Sequence, residues 1–436
     1  MTSAAPTEPT GDAPATPRRQ VLAWGFWDWG SAAYNAVILT FVFSVYLENS
    51  VGKDLPGPVS ANSWLGWAIG GAGLAIALMA PVIGQGADRA GRRLRSTGLW
   101  TAATVLSMAL LFLVRDDWHY LWLGLTLLGL GSVFFELASV SYNAVLRQIS
   151  TPETIGRVSG FGWSMGYFGG IVLLLATYVL FIAGDGGLLG VSTDDGLNIR
   201  IVALVAAGWF ALSAIPLFLA VPEAPPATGR PERLGVRASY RRLFTDLREL
   251  YRTDPHTVFF LAASALYRDG LAAVFTFGAV LAVSVYDIAP GDVLIFGVVA
   301  NVVSALGALS GGWLDDRIGP KPVISGSLIG MLGCGVVLLF LSGSTAFWIF
   351  GLGLCLFVGP AQSSSRTFLA RLSPPGREGQ MFGLYATTGR AVSFLAPNLW
   401  ALFILLFGTD RAGIVGILVV LLAGLLALWR VRAPAR

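Results

Sequence analysis

Long apolar runs, each long enough to cross a lipid bilayer as a helix, recur along almost the whole chain. A helix needs about 20 predominantly apolar residues to cross the hydrocarbon core, and twelve such runs can be placed. They cover residues 21–47, 62–86, 94–114, 119–145, 155–182, 200–221, 256–284, 291–314, 321–342, 345–369, 378–408 and 411–431. Only 12% of the residues are charged, whereas soluble domains carry about a quarter. The sequence therefore predicts an all-α polytopic membrane protein with twelve transmembrane helices.

A segment rich in arginine and proline divides the twelve runs into two sets of six. It carries an apolar face among its arginines, formed by Leu243, Phe244, Leu247, Leu250 and Tyr251. That face indicates a cytoplasmic interfacial helix, with a plain solvated linker as the alternative. We therefore expect a disordered tail, a first six-helix bundle, the linker and a second six-helix bundle, at residues 1–20, 21–221, 222–255 and 256–436.

Positive charge is concentrated in the loops at one set of helix ends. The segments that hold Arg92, Arg157, Arg241 and Arg377 are rich in arginine, whereas the loops at the opposite ends hold few basic residues. Since positively charged loops stay in the cytoplasm, we expect both termini to be cytoplasmic and the chain to lie in the plasma (inner) membrane. This distribution of charge needs no nucleic acid as a partner.

The two halves repeat a short motif, G-x-x-x-D-R-x-G followed by basic residues, between their second and third apolar runs. Its residues are Gly84, Asp88, Arg89, Gly91 and Arg92 in the first half and Gly312, Asp316, Arg317, Gly319 and Lys321 in the second. Salt bridges of the two aspartates would favour one closed state, and breaking them would let the halves rock. The alternative is that the motif only keeps these loops in the cytoplasm through its positive charge, which would account for the arginines but not for Asp88.

Ionisable residues lie inside several apolar runs, although a carboxylate at the bilayer centre costs about 2.5–3.5 kcal/mol. At helical spacing one face of the first run carries Asp28, Ser31 and Asn35, and a polar stripe in the fourth run carries Ser132, Glu136, Ser139, Asn143 and Arg147. The remaining candidates are Arg268 and Asp269 in the seventh run, Gln362 and Arg366 in the tenth, and Arg390 in the eleventh. Ionisable groups inside spans face the bundle interior and pair there. We therefore expect the three carboxylates to balance the three arginines along a path for substrate and protons; structural clamps between the halves are the alternative.

The paired motif loops resemble the signature loop of the major facilitator superfamily. More narrowly, the stretch Trp27-Asp28-Trp29-Gly30-Ser31-Ala32-Ala33-Tyr34 is similar to a first-helix pattern of the unknown-major-facilitator family, which contains the vacuolar autophagy-related amino-acid effluxers. The resemblance implies a twelve-helix secondary transporter whose first, fourth, seventh and tenth helices line a central cavity.

A transported substrate is the leading interpretation of these features. A carboxyl group in a low-dielectric surrounding can bind and release a proton near neutral pH, and buried arginines beside carboxylates suit an anionic or zwitterionic solute such as an amino acid. We therefore expect a monomeric secondary active transporter of a small metabolite, coupled to protons or another ion. A non-transporting receptor or sensor on the same scaffold is the alternative. The H-E-x-x-H metalloprotease pattern and the G-x-x-x-x-G-K-[ST] phosphate-binding loop are absent from the sequence, so no enzyme activity, cofactor or metal is expected.

Overall fold

The computed structural model describes residues 17–223 and 236–433, and nearly all of them are helical. Twelve of the described helices are long and apolar enough to cross a membrane, as the sequence predicts. Spans 1 to 12 are Arg18–Val51, Ala61–Ala90, Arg93–Leu113, Trp118–Val145, Ile155–Gly186, Asp194–Ala220, Pro255–Ser284, Asp292–Ile318, Pro320–Phe340, Ser344–Leu372, Glu378–Phe407 and Asp410–Trp429.

Some of these spans depart from regular α-helix. Span 1 turns π-helical over Ala33–Phe41, and span 11 consists of two segments, Glu378–Val392 and Leu395–Phe407. The second segment of span 11 contains Pro397, which has no backbone N–H and cannot continue the hydrogen-bond ladder of the first. Irregular turns of this kind occur frequently at functional sites.

Two long seams join the first six spans to the last six. Span 2 packs along span 11, and span 5 packs along span 8. Glycines make the close approach possible: a Cβ atom on Gly84 would overlap the carbonyl of Gly379, and a Cβ atom on Gly312 would overlap that of Gly156. Gly84 and Gly312 belong to the repeated motif, so the internal repeat is used to bring the halves together.

The seams close at only one end of the bundle. That end, called here the basic end, carries the two repeated motif loops and both ends of the described chain. Toward the opposite end, a Cβ atom on Gly66 or Gly70 of span 2, or on Gly297 of span 8, would meet no atom. The halves therefore touch at the basic end and separate toward the other.

A further helix, Val236–Thr253, precedes span 7 and is called the linker helix. It lies within the segment for which the sequence predicts an interfacial helix. Residues 224–235 of the predicted linker lie outside the described residues. The disordered tail was predicted at residues 1–20; residues 1–16 also lie outside the described residues, whereas residues 18–20 are helical and begin span 1. The exact domain boundaries stay predictions.

Candidate functional site

Three residues of the polar stripe of span 4 contact the second half of the chain. Glu136 pairs with Arg390 of span 11, and Asn143 accepts a hydrogen bond from Arg366 of span 10. Arg147, at one end of the stripe, donates a hydrogen bond from its guanidinium to the carbonyl of Ser373. Helical periodicity had placed these residues on one face, and the structure directs that face across the interface between the halves.

Asp28 and Arg366 form an ion pair between the first and last six spans. The Arg366 Nη1 atom lies 3.2 Å from Asp28 Oδ2, and only 6% of the arginine side chain and 15% of the aspartate side chain are exposed. Arg366 also donates to Asn143 Oδ1 at 3.2 Å and to the hydroxyl and carbonyl of Ser159 on span 5. The guanidinium is thus held by three helices of the first half.

The surroundings of this pair include residues that the sequence analysis did not single out. The Arg366 guanidinium lies over the Trp24 ring, with its Cζ atom 4.6 Å from the ring centroid, and this adds a cation–π contact. Gly162 of span 5 leaves the space that the pair occupies, since a Cβ atom there would lie 2.5 Å from Asp28 Oδ2. Ser159 does not stand out in sequence, because small residues are common in membrane helices. Gly162 begins a small-x-x-x-small pattern that indicates helix packing, and nothing in that pattern indicates an adjacent ion pair.

A second ion pair between the halves lies closer to solvent. Arg390 Nη2 is 3.0 Å from Glu136 Oε2, with 35% and 21% of their side chains exposed. The aliphatic part of Arg390 passes 3.8 Å from the position that a Cβ atom on Gly73 of span 2 would take. The structure therefore directs Arg390 across the interface between the halves.

Arg268 does not balance a carboxylate as the sequence analysis expected. Its guanidinium stacks on the Tyr385 ring at 3.7 Å and donates to the Tyr385 carbonyl at 3.1 Å. Within the described residues it makes no ion pair. The Tyr385 hydroxyl is hydrogen-bonded to the Ser365 hydroxyl, which is also hydrogen-bonded to the Tyr267 hydroxyl. The oxygen–oxygen distance is 2.6 Å in both bonds. The two tyrosine hydroxyls were not predicted, because tyrosine in an apolar run gives no signal that separates packing from binding.

Asp269 also differs from the expectation, because it pairs with no arginine in the described part of the chain. Its Oδ2 atom accepts a hydrogen bond of 2.7 Å from the backbone N–H of Ala396. That N–H belongs to the first turn of the second segment of span 11, where backbone donors lack helical partners. Adjacent residues on a helix point about 100° apart, so Arg268 and Asp269 serve different neighbours.

The other predicted path residues take distinct positions. Ser31 is buried and donates to the backbone carbonyl of Asp28, Asn35 is exposed, and Gln362 is half-buried one turn before Arg366. Asp28, Asn143 and Arg366 meet in one cluster, and Glu136 and Arg390 meet in a second.

Asp88 seals the seam between spans 2 and 11 at the basic end. Its Oδ2 atom accepts from the N–H of Gln380 in the first turn of span 11, and its Oδ1 atom accepts from Arg93 at 2.7 Å. Arg93 in turn pairs with Glu378 of the second half. Negative charge at a helix N-terminus is favourable because the free N–H groups and the helix dipole point toward it.

Asp316 repeats this arrangement at the other seam. It accepts from the N–H groups of Gly156 and Arg157 in the first turn of span 5, at 2.7 and 3.1 Å, and from the Arg157 side chain at 2.8 Å. The expected salt bridges are therefore present, but each motif aspartate also caps a helix of the opposite half. Sequence periodicity gives no signal for a cap supplied by a distant segment.

The remaining motif residues have other positions and partners. Gly91 ends span 2 with a φ of 59° and Gly319 ends span 8 with a φ of 90°, values that favour glycine. Arg317 stacks on Trp313 of its own helix, and Lys321 donates to the carbonyls of Trp429 and Val431. Arg89 closes the last turn of span 2, and Arg92 is exposed. Arg317 and Lys321 therefore bind within their own half.

No group of three metal-ligating side chains occurs among the residues that the structure describes. The site consists instead of ion pairs and helix caps that join two six-helix units.

Solved structures with the same architecture define the class of protein. The fold matches the major facilitator superfamily transporter FucP in an outward conformation with a TM-score of 0.71 and 13% identity, over 94% of this chain and 98% of that one. It matches the human organic anion transporter MFSD10 with a TM-score of 0.73 and 15% identity, over 94% and 99%. The chain therefore has the fold of a major facilitator superfamily transporter.

The family follows from sequence. The family model described as "Vacuole effluxer Atg22 like" matches residues 57–435, and the chain belongs to that family. A Bacillus subtilis relative, the uncharacterized MFS-type transporter YxiO, is 25% identical over 94% of both chains. Autophagy-related protein 22-1 of Neosartorya fischeri is 27% identical over 61% of this chain and 46% of its own length, so the match spans less than half of that fungal relative. The chain is thus a multi-pass membrane transporter and not an enzyme, as the sequence predicts.

Proposed function

We propose that this protein moves a small zwitterionic or anionic metabolite of the amino-acid class by alternating access, coupled to protons. The observation that carries the proposal is that two ion pairs, Asp28–Arg366 and Glu136–Arg390, each join one half of the chain to the other inside the membrane. Charges of this kind are costly at membrane depth and mark substrate or ion pathways.

The Glu136–Arg390 pair offers both partners that an amino acid needs. The carboxylate can accept hydrogen bonds from an ammonium group, and the guanidinium can hold a carboxylate with two parallel hydrogen bonds. Both side chains are partly exposed, so a solute can reach them. Arg268, which has no carboxylate partner in the described residues, supplies a further cation in span 7 for an anionic group.

Proton coupling follows from the same pairs. A proton on Glu136 or Asp28 removes the negative charge and weakens the hold on the arginine of the other half. Substrate that takes over the arginine has the same effect on the pair. Binding either partner therefore biases the same equilibrium, which is the requirement for coupling. Asp269 is a weaker candidate for the proton because its carboxylate holds the backbone of span 11.

The two motif aspartates serve as gates in this scheme. Asp88 and Asp316 hold the basic end closed by capping helices of the opposite half, and both caps must break when the halves rock. In this proposal the protein is a monomer in the plasma membrane. With the basic loops in the cytoplasm, both termini lie inside and the described conformation faces outward.

The proposal is tested with purified protein in liposomes. Counterflow of a panel of labelled amino acids and small organic acids identifies a solute, and an imposed pH gradient then tests the coupling. Glu136→Gln should abolish pH-driven accumulation while leaving counterflow measurable, and Arg390→Ala should lower substrate affinity. Asp116→Asn, in an exposed loop, is the matched control for a lost carboxylate. Saturable binding of a solute without any flux would contradict this proposal and favour the alternative, a non-transporting receptor.

A further inference from the structure

The linker helix carries a surface that the transport path does not use. We propose that this surface binds anionic phospholipid headgroups and that Asp246 connects the bound lipid to the seam between spans 2 and 11. Lipid binding stands independently of transport, whereas its effect on the seam rests on the proposed alternating-access function.

One side of the linker helix docks on the transmembrane bundle. Ser239 and Leu243 are buried on this side, and Tyr240 donates a hydrogen bond of 2.7 Å to the carbonyl of Leu78 in span 2. Leu78 itself is exposed, and on a transmembrane helix such an apolar side chain faces the acyl chains. The docked side therefore lies against the lipid-facing edge of span 2.

The adjoining strip of the linker helix is aromatic and exposed. Phe244 is 68% exposed and Tyr251 is 55% exposed, and the two lie seven residues apart on one face. The Tyr251 ring meets Phe259 of span 7 edge-on, at 6.3 Å between centroids, and Phe259 is exposed as well. The strip thus continues the apolar surface of the spans, and aromatic rings at this level suit the membrane interface.

Arginines follow next around the helix. At about 100° between successive residues, one row beside the aromatic strip contains Arg237, Arg241, Arg248 and Arg252. All are exposed, and within the described residues none forms an ion pair. Apolar residues that enter the acyl layer, bordered by cations at headgroup level, are the pattern of a helix that lies in the interface of an anionic membrane.

Asp246 links this surface to the seam. Its Oδ2 atom accepts from Gln85 of span 2 at 3.1 Å and from Gln380 of span 11 at 3.3 Å, and Arg377 lies 4.0 Å away. Gln380 is also the residue whose backbone N–H is capped by Asp88. The linker helix therefore contacts both halves where they close, and a lipid that holds the helix in place stabilises the closed basic end.

Lipid retention tests the binding surface directly. Native mass spectrometry of the full-length protein, exchanged into mixtures of phosphatidylcholine and phosphatidylglycerol, should show preferential retention of phosphatidylglycerol. Replacing the arginine row by glutamine should lower that preference at least about tenfold, and replacing it by lysine should restore most of it. The control removes four exposed arginines of the basic end outside the linker helix: Arg18, Arg19, Arg430 and Arg432. A control loss as large as that of the linker variant, or no preference in the wild type, overturns the proposal.

The connection to the seam needs a second measurement. Nitroxide labels at Arg95 and Pro375, one exposed residue from the basic end of each half, report the separation of the halves in nanodiscs. Adding phosphatidylglycerol should shorten the mean distance in the wild type. Asp246→Ala should keep the lipid preference but lose this response. A response that persists in Asp246→Ala overturns the connection while leaving lipid binding intact, and neither result depends on whether a transported solute has been found.

Discussion

The Arg366 guanidinium of span 10 lies 3.2 Å from the Asp28 carboxylate of span 1, so a single buried ion pair connects helices 338 residues apart in the chain. Asn143 and Ser159 complete the hydrogen bonds of the arginine. Through this one side chain, the second half of the protein contacts three helices of the first half, spans 1, 4 and 5.

Removing one partner of this pair should be far more damaging than removing both. Asp28→Ala leaves a buried cation without its counter-charge, which typically costs about 3–5 kcal/mol. We expect a clear fall in the thermal unfolding temperature of the purified protein, most of which Asp28→Ala/Arg366→Met recovers. Equal unfolding temperatures for the wild type and Asp28→Ala would show that the pair contributes nothing to stability.

Two glycines of span 5 provide a matched test of the space around the pair. Gly162→Ala places a methyl group 2.5 Å from Asp28 Oδ2 and 2.5 Å from the Trp24 ring, whereas Gly166→Ala meets only the Asp28 carbonyl, at 3.6 Å. We expect Gly162→Ala to impair transport and lower the unfolding temperature, and Gly166→Ala to behave like the wild type. The prediction fails if the two variants are indistinguishable in liposome flux and thermal unfolding.

The gates should respond to the loss of either motif aspartate. Asp88→Ala and Asp316→Ala each remove a charged helix cap, worth about 1–2 kcal/mol, and a side-chain bond to arginine. A change of 1.4 kcal/mol shifts the ratio of closed to open molecules about tenfold. Spin-label distances across the basic end should therefore lengthen in both variants. Asp117→Ala, which removes a cap within its own exposed segment, should leave these distances unchanged.

Asp269 should act as a positioning residue for span 11. Asp269→Ala removes the acceptor for the Ala396 N–H, and an unpaired buried N–H costs about 1–3 kcal/mol. Asp269→Asn retains a carbonyl oxygen that can accept the same bond. We expect Asp269→Ala to be destabilised, and Asp269→Asn to keep near-normal stability together with pH-driven accumulation. Loss of pH-driven accumulation in Asp269→Asn, with counterflow intact, would instead assign a proton to this carboxylate.

Much of the architecture was accessible from sequence because its causes are local. Apolar length predicts each span, and the edges agree with the structure to within a few residues for most spans. Helical periodicity predicts the stripe from Ser132 to Arg147, and three of its residues, Glu136, Asn143 and Arg147, contact the second half. Ser132 instead bonds to Tyr34 of span 1. The repeated motif predicts the twofold organisation, which appears as matching caps by Asp88 and Asp316.

The identity of each partner was decided by tertiary structure alone. The charge balance expected from sequence treats Arg268, Arg366 and Arg390 alike, yet two of them reach carboxylates and Arg268 stacks on Tyr385. Asp269 turns to a backbone N–H that becomes free only because span 11 is interrupted. Hydrophobicity and periodicity act within one helix, so the sequence determined the number, length and polar faces of the spans. Which polar groups meet depends on how closely helices from the two halves approach, and that distance is set by glycine contacts between segments far apart in the chain.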